Sequence, residues 1–93
     1  SNTEYFRNGL HELGLNTGDS TTQVVPIILG DDRAMLYELG HETRAKGLFL
    51  VPVDYPSVPQ DEVRFRASVT AAHTREDLDE ALNIINDTIV RRL

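Results

Sequence analysis

Ninety-three residues, 40% of them hydrophobic and 26% charged, are enough for one core and leave no room for a second. The absence of cysteine excludes a disulfide scaffold, a thiol nucleophile and any zinc site built on thiolates. Nine basic against fifteen acidic residues give a net charge of −6, which argues against a nucleic-acid or anionic-membrane surface. No run approaches the ~18 apolar residues of a membrane span, and no basic-then-apolar leader opens the chain. The composition reads as soluble and most simply cytoplasmic. The chain starts Ser1-Asn2-Thr3 without methionine, and helical periodicity begins almost at once, which reads as a piece of a longer protein carrying a tag remnant.

In chain order, Phe6, Leu10 and Leu13 fall at i, i+4, i+7 and predict a helix over residues 3–13, ended by Gly14 as a C′ glycine. Residues 16–22 are a polar loop. The apolar run 23–29 (QVVPIIL), bounded by turn residues, predicts a buried strand, stopped by Gly30-Asp31-Asp32. That acidic pair offers an N-cap for a helix running to Lys46, with Met35, Leu36, Leu39 and Thr43 inward and Gly47 at its end. Residues 48–53 (LFLVPV) predict a second strand, and 54–61 (DYPSVPQD) a proline-punctuated extended loop. Residues 62–69 alternate strictly, with Val63, Phe65, Ala67 and Val69 facing one way and Glu62, Arg64, Arg66 and Ser68 the other. Thr74 opens the last helix, Asp77 completing a capping-box pair, with Leu78, Leu82, Ile85 and Ile89 as its apolar stripe. Arg91 and Arg92 suit the negative end of its dipole.

The order is therefore α-β-α-β-β-α. Proline lacks the N–H that a central strand must donate, so Pro26 and Pro52 push the first two strands to the edges and leave the third in the middle. The expected fold is α+β, a two-layer sandwich. Its three-stranded antiparallel sheet has spatial order 1-3-2 (a split β-α-β crossover), with three helices on one face.

Few residues offer self-contained chemistry. The glycines form no phosphate-cradling motif. His11-Glu12 and His41-Glu42 each begin a zincin-like pair, but neither has a histidine four residues on, so both read as solvated helix faces. His73, just before the Thr74 cap, reads as structural, and Lys46, the only lysine, sits at an ordinary place for a cation, a helix C-terminus. The candidates are Arg64 and Arg66. Two guanidiniums on one face of a central strand make a fork for a carboxylate or phosphate. The alternative is that both pair with Glu62, Asp54 or Asp61 on a solvated face.

The stretch RFRASVTAAHT (residues 64–74), preceded by YPSVP (55–59), resembles the C-terminal segment of the α-oxoamine synthases, pyridoxal-phosphate (PLP) enzymes of fold type I. Residues 6–18 (FRNGLHELGLNTG), 24–31 (VVPIILGD) and 47–53 (GLFLVPV) follow in family order and spacing, so the resemblance covers nearly the whole chain. It implies a PLP-dependent acyltransferase that condenses glycine, alanine or serine with an acyl-CoA or acyl-carrier thioester, most members giving an α-amino ketone. It also implies a homodimer and a site completed by a larger upstream domain. The family's Schiff-base lysine, pyridine-nitrogen aspartate and stacking histidine belong to that domain, so this chain would be a small C-terminal domain that is inactive alone. Arg66, seven residues before the histidine of the AAHT run, matches the family's substrate-carboxylate arginine. Arg64 fits a more variable partner position, and Ser57 in the 55–59 loop would border the substrate. Some members carry a further arginine where this chain has Asp54, so that role does not transfer. The competing reading is a free-standing α+β module that binds a small anion through Arg64 and Arg66 without catalysis.

Overall fold

In a computed structural model of the protein, residues 1–19 and 22–93 are described; Ser20 and Thr21, in the expected 16–22 loop, lie outside them. The elements are α1 (Asn2–Glu12), β1 (Val24–Gly30), α2 (Arg33–Ala45), β2 (Val51–Val53), β3 (Val63–Ser68) and α3 (Arg75–Ile85), the last running on into a π-helical turn, Asn86–Val90. The sheet order is β1-β3-β2, both edges antiparallel to β3. The order and topology are those expected from the two prolines, and Pro26 and Pro52 do lie on the edge strands.

One face of the sheet carries the core. Val25 and Ile27 of β1 and Val63, Phe65 and Ala67 of β3 are buried, as the alternation requires. Against them pack Phe6 and Leu10 of α1, Met35, Leu36 and Leu39 of α2, and Leu78 and Ile85 of α3. Burying such a side chain contributes about 1.5–3 kcal/mol, so this one layer holds the fold together. Leu13, expected on the inner stripe of α1, is only half-buried, because it caps the helix and Leu15 takes the core position beyond it.

Both glycine-ended helices close with the same hydrogen bonds. Gly14 N donates to His11 O and Leu15 N to Leu10 O; Gly47 N donates to Arg44 O and Leu48 N to Thr43 O. This six-residue closure needs a left-handed residue after the cap, and both glycines have positive φ, 84° and 93°. The second closure shortens the next strand. Leu48 is tied back to α2, Phe49 turns outward to 72% exposure beneath the Arg44 guanidinium, and β2 pairs only over Val51–Val53 rather than 48–53.

At α3, Thr74 N donates to Asp77 Oδ2 and Asp77 N to Thr74 Oγ1, the expected capping box. Leu82 of the expected stripe is half-buried and abuts Gly9 of α1, where a Cβ would lie 2.5 Å from Leu82 Cδ1. At the far end Thr88, buried, donates to Ile84 O, and Arg92 pairs with Glu38 of α2.

Candidate functional site

The other face of the sheet holds both candidate arginines. Cross-strand partners share a face. Arg66 is therefore flanked by Pro26 of β1 and Val51 of β2, and Arg64 by Ile28 and Val53. The two guanidiniums rise from the middle of the sheet between two apolar edges, on the strand held from both sides.

Their partners differ. Arg64 donates from Nε to Glu62 O at 3.0 Å and from Nη2 to Glu62 Oε1 at 3.1 Å, and its side chain is 22% exposed. The solvated-pair alternative thus describes Arg64. Arg66 is exposed, and its side chain makes no hydrogen bond or ion pair with any described residue. It keeps all its donors in a planar fork that matches a carboxylate.

Asp54, another of the three acids named as partners, is engaged elsewhere. Arg33 and Tyr37, one turn apart on α2, converge on its Oδ2 from Nε at 2.8 Å and from the hydroxyl at 3.0 Å. Tyr55 N donates to its Oδ1 at 2.7 Å. Burial opposes the charge, but these three hydrogen bonds and the Arg33 cation outweigh it and hold the carboxyl below the ordinary range. The backbone then turns, Ser57 N donating to Asp54 O at 3.0 Å, and the Tyr55–Pro56 peptide is cis. The 55–59 loop hangs from the end of β2, whose Val53 pairs with Arg64. Ser57 is exposed on it. Sequence reasoning left Arg33 and Tyr37 unassigned; their i, i+4 spacing on the polar side of α2 was the one signal that they could act on a common partner.

The remaining chemical side chains are structural. His73 Nδ1 accepts from Thr70 N at 3.0 Å, and His11 Nε2 lies 2.7 Å from the buried Thr17 hydroxyl. Among the described residues no three His, Asp or Glu side chains come together as a metal site. A groove of about 380 Å³ opens between Leu48, Leu50 and α3, but neither arginine lines it.

The residues present do not fit a PLP site. Lys46, the only lysine, is the exposed C-cap of α2. At the N-termini of α2 and α3, where a phosphate would sit, Asp32 accepts from Met35 N and the Thr74–Asp77 box closes the cap, and both acids repel an anion. What this face offers is one unengaged guanidinium, a fork suited to a small anion such as a carboxylate.

Residues 1–85 match the family aminotransferase class I and II. An 8-amino-7-oxononanoate synthase of Exiguobacterium sibiricum is 47% identical over 81 residues, 87% of this chain and 20% of that protein. A serine palmitoyltransferase of Bacteriovorax stolpii is 42% identical over 84 residues, 90% of this chain and 20% of that protein. A solved structure of SPT with PLP has a TM-score of 0.89 at 21% identity, over 99% of this chain and 24% of its own, a likeness of fold. The chain spans about a fifth of the length of the curated relatives it matches. The chain belongs to the aminotransferase class I and II family, among its α-oxoamine synthases.

Proposed function

We propose that this chain is the small C-terminal domain of a PLP-dependent acyltransferase that condenses glycine, alanine or serine with an acyl-CoA thioester to give an α-amino ketone. Arg66 holds the amino acid's α-carboxylate. The observation that carries this reading is the difference between the two arginines: on one strand face, Arg64 is spent on Glu62 and Arg66 is left free. PLP, bound by the rest of the intact enzyme, supplies the electron sink for chemistry at the α-carbon. Arg66 clamps the carboxylate through two parallel N–H donors from a strand fixed on both sides, which sets the orientation of the α-carbon bonds. Ser57 borders the bound amino acid from the 55–59 loop, and Arg64 braces the strand. The domain is inactive alone, and the intact enzyme works as a cytoplasmic homodimer.

The test is Arg66→Ala in the intact enzyme. A hydrogen-bonded contact to a charged group is worth about 1.5–3 kcal/mol, so amino-acid KM should rise about ten- to a hundredfold while cofactor absorbance is unchanged. Arg66→Lys keeps the charge without the fork and should fall between. Unchanged amino-acid affinity in Arg66→Ala would remove the carboxylate role.

A further inference from the structure

β2 is poorly held for a strand that flanks the arginine face. It has three residues, Pro52 has no N–H to donate, and Val51 is 46% exposed. Yet the 55–59 loop hangs from it, and its Val51 pairs with Arg66. Something other than the ladder must fix its end.

Asp54, the residue immediately after β2, has the means. Its side chain is only 10% exposed, and three donors approach it from two directions: Arg33 and Tyr37 from α2, and Tyr55 N from the loop it begins. Oδ2 takes both side-chain donors and Oδ1 the backbone one, while Asp54 O accepts from Ser57 N. With its oxygens so committed, Asp54 is not a ligand for substrate. It ties three pieces of chain together: the first turns of α2, the end of β2 and the loop. Arg33 alone would make a weak tie, being 65% exposed and screened by solvent. Tyr37 and the Tyr55 amide give the tie its direction.

We propose that Asp54, clamped by Arg33 and Tyr37, is a positioning residue that fixes the 55–59 loop and the end of β2, the strand that flanks both arginines, and so sets the affinity for the amino acid. This rests on Arg66 as the carboxylate ligand.

The experiment uses the intact enzyme, with alanine, glycine and serine as amino-acid probes. KM values for the amino acid and the thioester are measured alongside hydrogen–deuterium exchange of the peptide containing residues 54–59. Asp54→Ala should raise amino-acid KM about tenfold, leave thioester KM within about twofold, and speed exchange of the loop about tenfold. Tyr37→Phe, which removes one hydroxyl from a half-exposed side chain and keeps the fold, should move amino-acid KM and exchange in the same direction by about two- to fivefold. Faster exchange with unchanged amino-acid KM would overturn the proposal, because the anchor would not reach the site. A raised KM with unchanged exchange would overturn it too, because Asp54 would then act by contact. Arg66→Ala in parallel separates the two readings: if it leaves amino-acid KM unmoved while Asp54→Ala raises it, the carboxylate assignment fails and the loop anchor stands.

Discussion

Glu62 stands two residues before Arg64 with the same parity along the strand, so its carboxylate and its carbonyl oxygen both reach that guanidinium. Two residues beyond Arg66 the same face carries Ser68, which has no charge to offer. One acid placed on one side is enough to make the first arginine a brace and leave the second available. A second residue-level consequence concerns Asp77. The Thr74 amide and then the Thr74 hydroxyl hold its carboxyl below the ordinary range, with burial acting the other way. Its folded value is thus lower than its unfolded one of about 3.9. The capping stability is complete above the unfolded value and is lost as the pH falls toward the folded one. The urea midpoint of the wild-type chain relative to Asp77→Asn should therefore be constant above about pH 5 and shrink below about pH 4. A gap of the same size at low pH would mean that the charge plays no part in the cap.

At the level of elements, two helical glycines with the same propensity cost should answer differently to alanine. A Cβ at Gly40 of α2 would meet Phe65 Cε1 at 3.6 Å, ordinary contact, so Gly40→Ala should gain the helix preference of about 0.5–1 kcal/mol. A melting temperature higher by about 4–8 °C per kcal/mol is the readout. At Gly9 the new methyl would lie 2.5 Å from Leu82 Cδ1 and 3.3 Å from Cγ, so the Leu82 side chain must shift within the α1–α3 contact, at a cost that offsets the helix preference. Gly9→Ala should show no such gain; equal stabilisation of both variants would refute the distinction. This contrast also marks what was legible in the sequence. The alternation of residues 62–69, the inner side of α2 and the caps at Thr74, Gly14 and Gly47 are local patterns, and each could be read directly. Gly9 could not, because its neighbour lies on another helix. The Asp54 clamp was equally hidden, since its side-chain donors lie 21 and 17 residues upstream. The extent of β2 was misread because the cap of α2 competes with the sheet for Leu48, and six apolar residues in a row do not reveal which wins.

For the whole molecule, the arginine face is a surface rather than a cavity, and this bears on what the chain can do by itself. An exposed ion pair is worth about 0–1 kcal/mol, whereas millimolar binding requires about 4. On the proposed reading, Arg66 needs walls that this chain does not supply. Calorimetric titration of the 93-residue chain with glycine, alanine or serine should thus show no saturable binding at millimolar concentrations. Measurable affinity without cofactor would favour the free-standing anion-binding module.

The strand that bears Arg66 is also the one for which both others wait. β1 and β2 lie in the first 53 residues and have no ladder partner in each other; the ladder of each is with residues 63–68, and β1 has besides it only the single bridge from Ile28 to Asn16. During synthesis, then, the emerging chain can form helices α1 and α2 early but no sheet until β3 has cleared the ribosome. Ordering of the fold and presentation of the arginine face become one event, and a nascent chain from which β2 but not yet β3 has emerged would display two apolar strands without their ladder partner to any chaperone at the tunnel exit.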